Sequence, residues 1–238
     1  MTGVLYLSRA RLRRDASVDA LAPLLLGKAG KGSAAQHPGH HLMWSLFADD
    51  PDQRRDFLWR EMQRGVFLIL SARAPQDRHG LFEVAEPKRF TPVLLPGDRL
   101  GFSLRANPVV RRRDPERRRS HKHDVVMDAL RDAGSQTVGD AGTRAARRLD
   151  VVREHGFAWL ERQGRKSGFK VESGCVRIDG YEQHRIARKG SAPPMAFSTI
   201  DYDGTLTVRD PDALVTAIAR GFGASKAYGC GLMLIRRA

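Results

Sequence analysis

The chain has only two cysteines, Cys175 and Cys230, among its 238 residues. That pair is too sparse for a disulfide framework, and its spacing fits no metal-ligand set. Aromatic residues make up 7% of the sequence, which argues against extensive stacking of bases along a single strand of nucleic acid. No apolar run approaches the ~20 residues that a bilayer requires, and the start of the chain lacks the apolar core of a signal peptide. A soluble, cytoplasmic protein with no membrane partner is therefore expected. Acidic residues are also in deficit: 27 Asp and Glu stand against 41 Lys and Arg, a formal charge of +14. A surplus of that size points to a polyanionic partner, above all nucleic acid, whose phosphates release counterions when cations replace them. The positive residues are clustered, which compositional drift alone does not produce.

A hydrophobic share of 41% is enough for one or two cores. Val4–Leu7 predicts a short strand, followed by a basic stretch from Arg9 to Arg14. Val18–Leu26 fits a turn or two of amphipathic helix, and the GKAGKGS segment after it fits a flexible connector. Pro38 suits the first position of a helix on which Leu42, Met43, Leu46 and Phe47 recur. A second helix is expected from Asp52, burying Phe57 and Leu58. Val66–Ala72, Phe90–Leu95 and Arg99–Ala106 read as strands. Residues 109–152 lack a sustained apolar period and read as a basic linker or RNA-binding loop. A helix around Phe157–Leu160 then leads to a strand at Phe169–Ile178. Tyr181–Arg188 and Met195–Ile200 read as hairpin arms. Thr205–Val208, a helix over Pro211–Arg220 and a last strand complete the set. Both halves approximate the split βαβ plan. The expected class is α+β, with one ferredoxin-like domain over 1–108 and another over 153–238.

Asp201–Thr207 copies the DxDGTLT signature of haloacid-dehalogenase phosphatases. That chemistry needs a large domain after the motif, and only 33 residues follow Thr205. A turn at Asp203-Gly204 between two strands is the expectation instead.

Three of eight histidines fall within QHPGHHL. On a helix starting at Pro38, His37 and His40 lie about one turn apart, and His41 points roughly 100° away. Two imidazoles beside a phosphodiester suit RNA transesterification, one accepting the 2′-OH proton and the other protonating the departing 5′-oxygen. Merely capping the helix explains the same spacing equally well. No carboxylate or cysteine nearby completes a ligand set, so neither metal nor cofactor is expected. Between Arg105 and Lys122 stand eight Lys or Arg and two acids, a run joined by Arg185, Arg188 and Lys189 further on. Paired basic features of this kind suit the phosphate walls of an A-form stem. Four glycines, Gly221, Gly223, Gly229 and Gly231, enclose Ser225 and Lys226 just before the last strand. The backbone N–H groups of such a loop can converge on an anion, or the loop can chiefly brace the two domains.

That GhGxxxxxGhG loop resembles the C-terminal loop of the CRISPR-associated RNA-binding superfamily called RAMPs. With it stand VLYLSRARL, HxxxWxLF at His40–Phe47, DxxRDFLWR at Asp52–Arg60, LPGDRLGFSLRANP, FAWLERQ and DGTLTVRDPDAL. In this order they resemble the CasE family, the endoribonuclease of the type I-E Cascade complex, over essentially the whole chain. The resemblance implies two tandem ferredoxin-like (RRM-like) βαββαβ domains. It also implies a metal-independent cut at the 3′ base of each CRISPR repeat hairpin, leaving a 2′,3′-cyclic phosphate and a 5′-hydroxyl. Its partners would be the crRNA and other Cascade subunits. The family's catalytic histidine falls on His40, and a tyrosine common three residues earlier falls on His37. The expected RNA contacts are Arg105, Asn107, Arg111, Arg112, Arg113, Arg185, Arg188, Lys189, Ser225, Lys226 and the four loop glycines. A non-catalytic RNA-binding scaffold of the same superfamily is the alternative, and binding without cleavage would mark it.

Overall fold

Two antiparallel sheets repeat one order of strands. The computed structural model describes residues 3–14, 38–47, 54–113, 120–133, 141–186 and 194–238. In the first sheet, β1 (Tyr6–Leu12), β2 (Phe57–Gln63), β3 (Val66–Ser71) and β4 (Phe82–Val84) run in the order β2-β3-β1-β4. The two-residue β5 (Lys88–Arg89) pairs the start of β1, and helix α1 (Pro38–Ser45) lies between β1 and β2 in the chain. The second sheet contains β6 (Arg99–Ala106), β9 (Phe169–Ile186), β10 (Met195–Val208) and β11 (Met233–Arg237), in the order β11-β6-β10-β9. Helices α2 (Val125–Ala133) and α3 (Ala141–Lys166) link β6 to β9, and α4 (Pro211–Arg220) links β10 to β11. Numbered within each sheet, both orders read fourth-first-third-second, which is the ferredoxin-like βαββαβ arrangement. The α+β expectation is met, although residues 72–81 of the first unit form no second helix.

Several sequence-based expectations give way to tertiary context. Arg99–Ala106 pairs with β10 and β11, so it opens the second unit rather than closing the first, and the expected boundary after 108 cuts through the second unit. Nor is 109–152 simply a linker. A hairpin of β7 (Val109–Arg113) and β8 (Ser120–Asp124) leads into α2 and the start of α3. The Asp124 side chain accepts from the N–H groups of Val126 and Met127, so an acid in a basic stretch serves as a helix start. Phe57 and Leu58 lie on β2, not on a helix, because alternate residues of that strand feed opposite cores. Phe90–Leu95 forms no strand, and β1 runs on through the basic residues Arg9 and Arg11. Asp203-Gly204 sits inside β10, not at a turn. The β9–β10 register shifts just beyond Gly204, where a Cβ would stand 2.1 Å from the Cys175 carbonyl, so glycine here admits a close backbone. Val18–Leu26 and the GKAGKGS connector lie outside the described residues.

The first sheet is buried on both faces, as a continuous apolar strand such as VFLIL requires. Phe57, Trp59, Phe67 and Ile69 face Leu42, Met43, Leu46 and Phe47 of α1 and the turn after it. Their alternates Leu58 and Leu70, with Leu68 beside them, join the core of the second unit. That larger core holds Phe102, Leu104, Trp159, Leu160, Ile200, Tyr202, Leu214 and Ile218. Pro211 opens α4 behind Asp210, whose carboxylate accepts from Ala213 N at 3.0 Å. Arg60 spans the two sheets, donating to Ser103 Oγ at 2.7 Å and standing 3.8 Å from Asp201. Among the described residues, no helix is long and apolar enough to cross a membrane.

Candidate active site

The glycine loop folds back between the units and meets α1. Its four glycines all take positive φ, between 75° and 94°. At Gly223 a Cβ would stand 2.5 Å from the Asn107 carbonyl, and at Gly231 it would stand 2.6 Å from that of Phe222. Neither place admits another residue without moving backbone. The N–H groups of Gly221, Phe222, Ala224, Tyr228 and Gly231 donate to carbonyls of the protein itself. These five do not form the anion nest that the glycine spacing predicts. Asn107 is buried and donates from Nδ2 to Ser225 Oγ at 2.6 Å, while its carbonyl accepts from Ala224 N at 3.0 Å. Thus LRANP and the loop are halves of one brace.

The brace ends in a 3₁₀ turn, Lys226–Tyr228, whose Ala227 carbonyl accepts two side-chain donors from the first unit. Trp59 Nε1 lies 3.2 Å from it and His40 Nδ1 lies 3.1 Å from it. A carbonyl can only accept, so Nδ1 carries the proton and Nε2 of the neutral ring keeps its lone pair. Gly39 makes room for this arrangement, since a Cβ there would stand 2.4 Å from the Trp59 ring. The imidazole is half-buried and not sealed in the apolar interior. Burial holds His40 below its usual pKa of 6.5; the Ala227 hydrogen bond opposes that, and His41 and Arg55 add repulsion.

Rings extend from His40 across both units. Tyr228 lies 5.5 Å away between centroids, Phe197 stacks on Tyr228 at 5.4 Å, and His184 stacks on Phe197 at 4.9 Å. His41, which is exposed, meets His40 edge-on at 5.4 Å. The stack joins α1, the glycine loop and the β9–β10 hairpin into one wall.

The expected basic contacts divide into two groups. Arg105 is committed to Asp201 by two hydrogen bonds of 2.8 and 2.6 Å. Arg112 meets Asp128 at 2.7 Å. Lys226 donates to the Arg220 carbonyl at 2.6 Å, capping the end of α4, and burial lowers its ammonium's pKa. Arg111 and Arg185 are exposed, on β7 and β9. Arg113 continues β7, with its side chain outside the described set; His37, Arg188 and Lys189 lie outside the described residues altogether. Sequence reasoning passed over Ala227, Tyr228, Phe197 and Arg55. Tyr228 stood in plain view between the glycines, and Arg55 within DxxRDFLWR, but neither carried a sign of its neighbour. Cys230 is fully buried, as expected of a small apolar residue, and burial pushes its thiol up to about 12. Among the described residues, no group of three or more His, Cys, Asp or Glu is placed to hold a metal ion.

Fold and site together define a tandem ferredoxin-like protein with an imidazole fixed where its two units meet. Residues 5–237 match the family model described as CRISPR associated protein, and the chain belongs to that family. It is 27% identical over 205 residues to the CRISPR system Cascade subunit CasE of Escherichia coli K12, covering 82% of this chain and 88% of that protein. It is 29% identical over 198 residues to the CRISPR-associated endoribonuclease Cse3 of Thermus thermophilus, covering 76% and 80%. A solved structure of Cse3 bound to a 19-nucleotide RNA matches with a TM-score of 0.65 at 24% identity, over 98% of this chain and 99% of that one. Cas6e from E. coli K-12 matches at 0.60 and 21% identity, over 98% and 100%. At these identities the structural matches establish the fold.

Proposed function

We propose that this protein is an endoribonuclease that binds the hairpin of a CRISPR repeat and cuts the precursor transcript at the 3′ base of the stem. It then stays on the mature crRNA as a cytoplasmic Cascade subunit. The observation that carries the reading is His40, anchored through Nδ1 to the Ala227 carbonyl, with Arg55 near enough to disfavour its charged form. The names of its relatives and the charge of +14 support RNA as the substrate.

In the proposed reaction Nε2 of His40 removes the proton of the ribose 2′-OH. The 2′-oxygen attacks phosphorus, the bond to the 5′-oxygen breaks, and that oxygen takes a proton, assigned here to His37. The products are a 2′,3′-cyclic phosphate and a 5′-hydroxyl. The nucleophile belongs to the substrate, so the scheme uses no metal ion. Arg111, Arg113, Arg185, Arg188 and Lys189 are assigned to the phosphates of the stem. Asn107, Ser225 and the loop glycines hold the Ala227 carbonyl that orients the ring.

His40→Ala should lower single-turnover cleavage of a repeat hairpin by about 10²–10⁴-fold while its affinity stays close to that of the parent. Undiminished cutting refutes the assignment. Cleavage should persist in excess EDTA, and a 2′-deoxy substitution at the scissile nucleotide should leave the RNA bound and whole.

A further inference from the structure

Arg55 immediately precedes Asp56 at the entrance to β2, and its Nη1 is buried with no hydrogen-bond acceptor among the described residues. The adjacent acid is not available to it. Asp56 is held by Arg73, Nε to Oδ2 at 2.8 Å and Nη2 to Oδ1 at 3.2 Å. Among the described residues no other carboxylate pairs with Arg55, and its guanidinium lies over no ring. Its electrostatic neighbours are His40 and Lys226, and Lys226 in turn feels Arg220 and Lys122. Every one of these is a cation or becomes one on protonation. Half-burying a guanidinium among like charges, with its Nη1 unsatisfied, opposes folding. An anion drawn into the same place would offset both penalties, the missing acceptor and the missing counter-charge. The planar fork of arginine suits the paired oxygens of a phosphate.

We infer that Arg55 is a phosphate-binding catalytic residue, its guanidinium taking the non-bridging oxygens of the scissile phosphodiester beside His40. This rests on reading His40 as the residue at the reacting linkage. Arg55 then meets the negative charge that grows on those oxygens as the 2′-oxygen adds, and Lys226 supplies a second positive field. The role also suits the neighbouring ring. An unpaired cation close to His40 disfavours the imidazolium and keeps Nε2 free to accept a proton. A bound phosphate would neutralise that cation and make protonation of the ring easier, which helps once the proton has been taken.

The test uses the full chain with Arg55→Gln and Arg55→Lys, and two independent measurements. In single-turnover assays at saturating repeat hairpin, Arg55→Gln should cut on the order of 10²-fold more slowly, with partial recovery in Arg55→Lys. In an NMR titration of the His40 ring, saturating inorganic phosphate should raise the ring's midpoint in the parent and leave Arg55→Gln unmoved. The groups that could confuse this titration are His41 on the same helix, Lys226 and Tyr228 on the glycine loop, and Arg55 itself, so His41→Gln serves as a background. Arg55→Gln should also unfold at a temperature equal to or above the parent's, because it removes a half-buried charge with no counter-ion among the described residues; that result excludes misfolding as the cause of slow cutting. Parental cutting by Arg55→Gln at saturation overturns the inference, as does a phosphate effect on His40 that survives the substitution. If the parent cuts no RNA but phosphate still acts through Arg55, the anion site stands and the nuclease reading falls.

Discussion

At the scale of single residues, His40 shows how burial and one hydrogen bond set the proton state of an imidazole. Its pKa is lowered chiefly by desolvation, so the unfolded chain binds more protons at this ring than the folded one just below pH 6.5. Protonation of His40 therefore favours unfolding, and this contribution to stability is lost as pH falls through that window. In the proposed reaction, Nε2 would remain an acceptor at pH values somewhat below 6.5, because burial lowers the ring's pKa. The pH dependence of kcat/KM, which reports the free protein, should rise through a midpoint below 6.5 and fall again once the assigned acid has lost its proton; a rising limb centred clearly above 6.5 would contradict the assigned base. Tyr228 contributes through its ring, which Phe197 supports from the hairpin. Tyr228→Phe should cut at close to the parental rate, whereas Tyr228→Ala should lose about tenfold or more from misplacement of His40. The readout is kcat against KM: a positioning role lowers kcat with little change in KM.

At the scale of elements, legibility depended on how local the signal was. Pro38–Ser45 and Pro211–Arg220 were readable because a proline start and an apolar period lie within each helix, with a capping aspartate before the second. β3 was equally plain as an unbroken apolar run. The failures share one cause. Phe57 and Leu58 look like adjacent residues of a helical face, but in a strand they point into different cores, and only the existence of two cores distinguishes the cases. Asp203-Gly204 has the chemistry of a turn, yet its glycine answers the approach of Cys175 from a neighbouring strand. In the glycine loop the spacing identified the residues and left two kinds of work open, an anion nest or a brace between the units; the hydrogen bonds to Asn107 and Arg105 favour the brace. Gly223→Ala would combine an unfavourable φ with a clash against the Asn107 carbonyl. It should cost about 1–3 kcal/mol in denaturant unfolding and reduce cleavage together with stability. Loss of cleavage without loss of stability would mean that the loop does more than brace.

For the molecule as a whole, the junction of the two sheets matters most. Asp201, the first residue of the phosphatase-like signature, holds Arg105 within its own sheet and attracts Arg60 from the other. Asp201→Asn should destabilise the protein by on the order of 1–3 kcal/mol, read as a lower denaturant midpoint at unchanged slope. The charge of +14 acts over the same scale. Affinity for RNA should fall steeply between about 50 and 200 mM salt, on the order of 10³-fold for a protein meeting about six phosphates of a duplex. Preference for a repeat hairpin over an unpaired RNA of equal length should survive that range, since shape recognition does not depend on counterion release; loss of the preference would indicate a purely electrostatic binder.

The sequence by itself determined the α+β class, most of the elements, the surplus of positive charge and the place of His40 on a helix opened by Pro38. These follow from periodicity, capping, glycine and charge, which act over a few residues or simply sum along the chain. Tertiary structure alone decided that β6 opens the second unit, that Arg105 and Lys226 are spent inside the protein, and that Arg55 stands beside His40 with no acid to pair it among the described residues. The reason is distance along the chain: His40 and the carbonyl that orients it are 187 residues apart. No local pattern records which of many compatible surfaces a side chain will meet once two cores have closed.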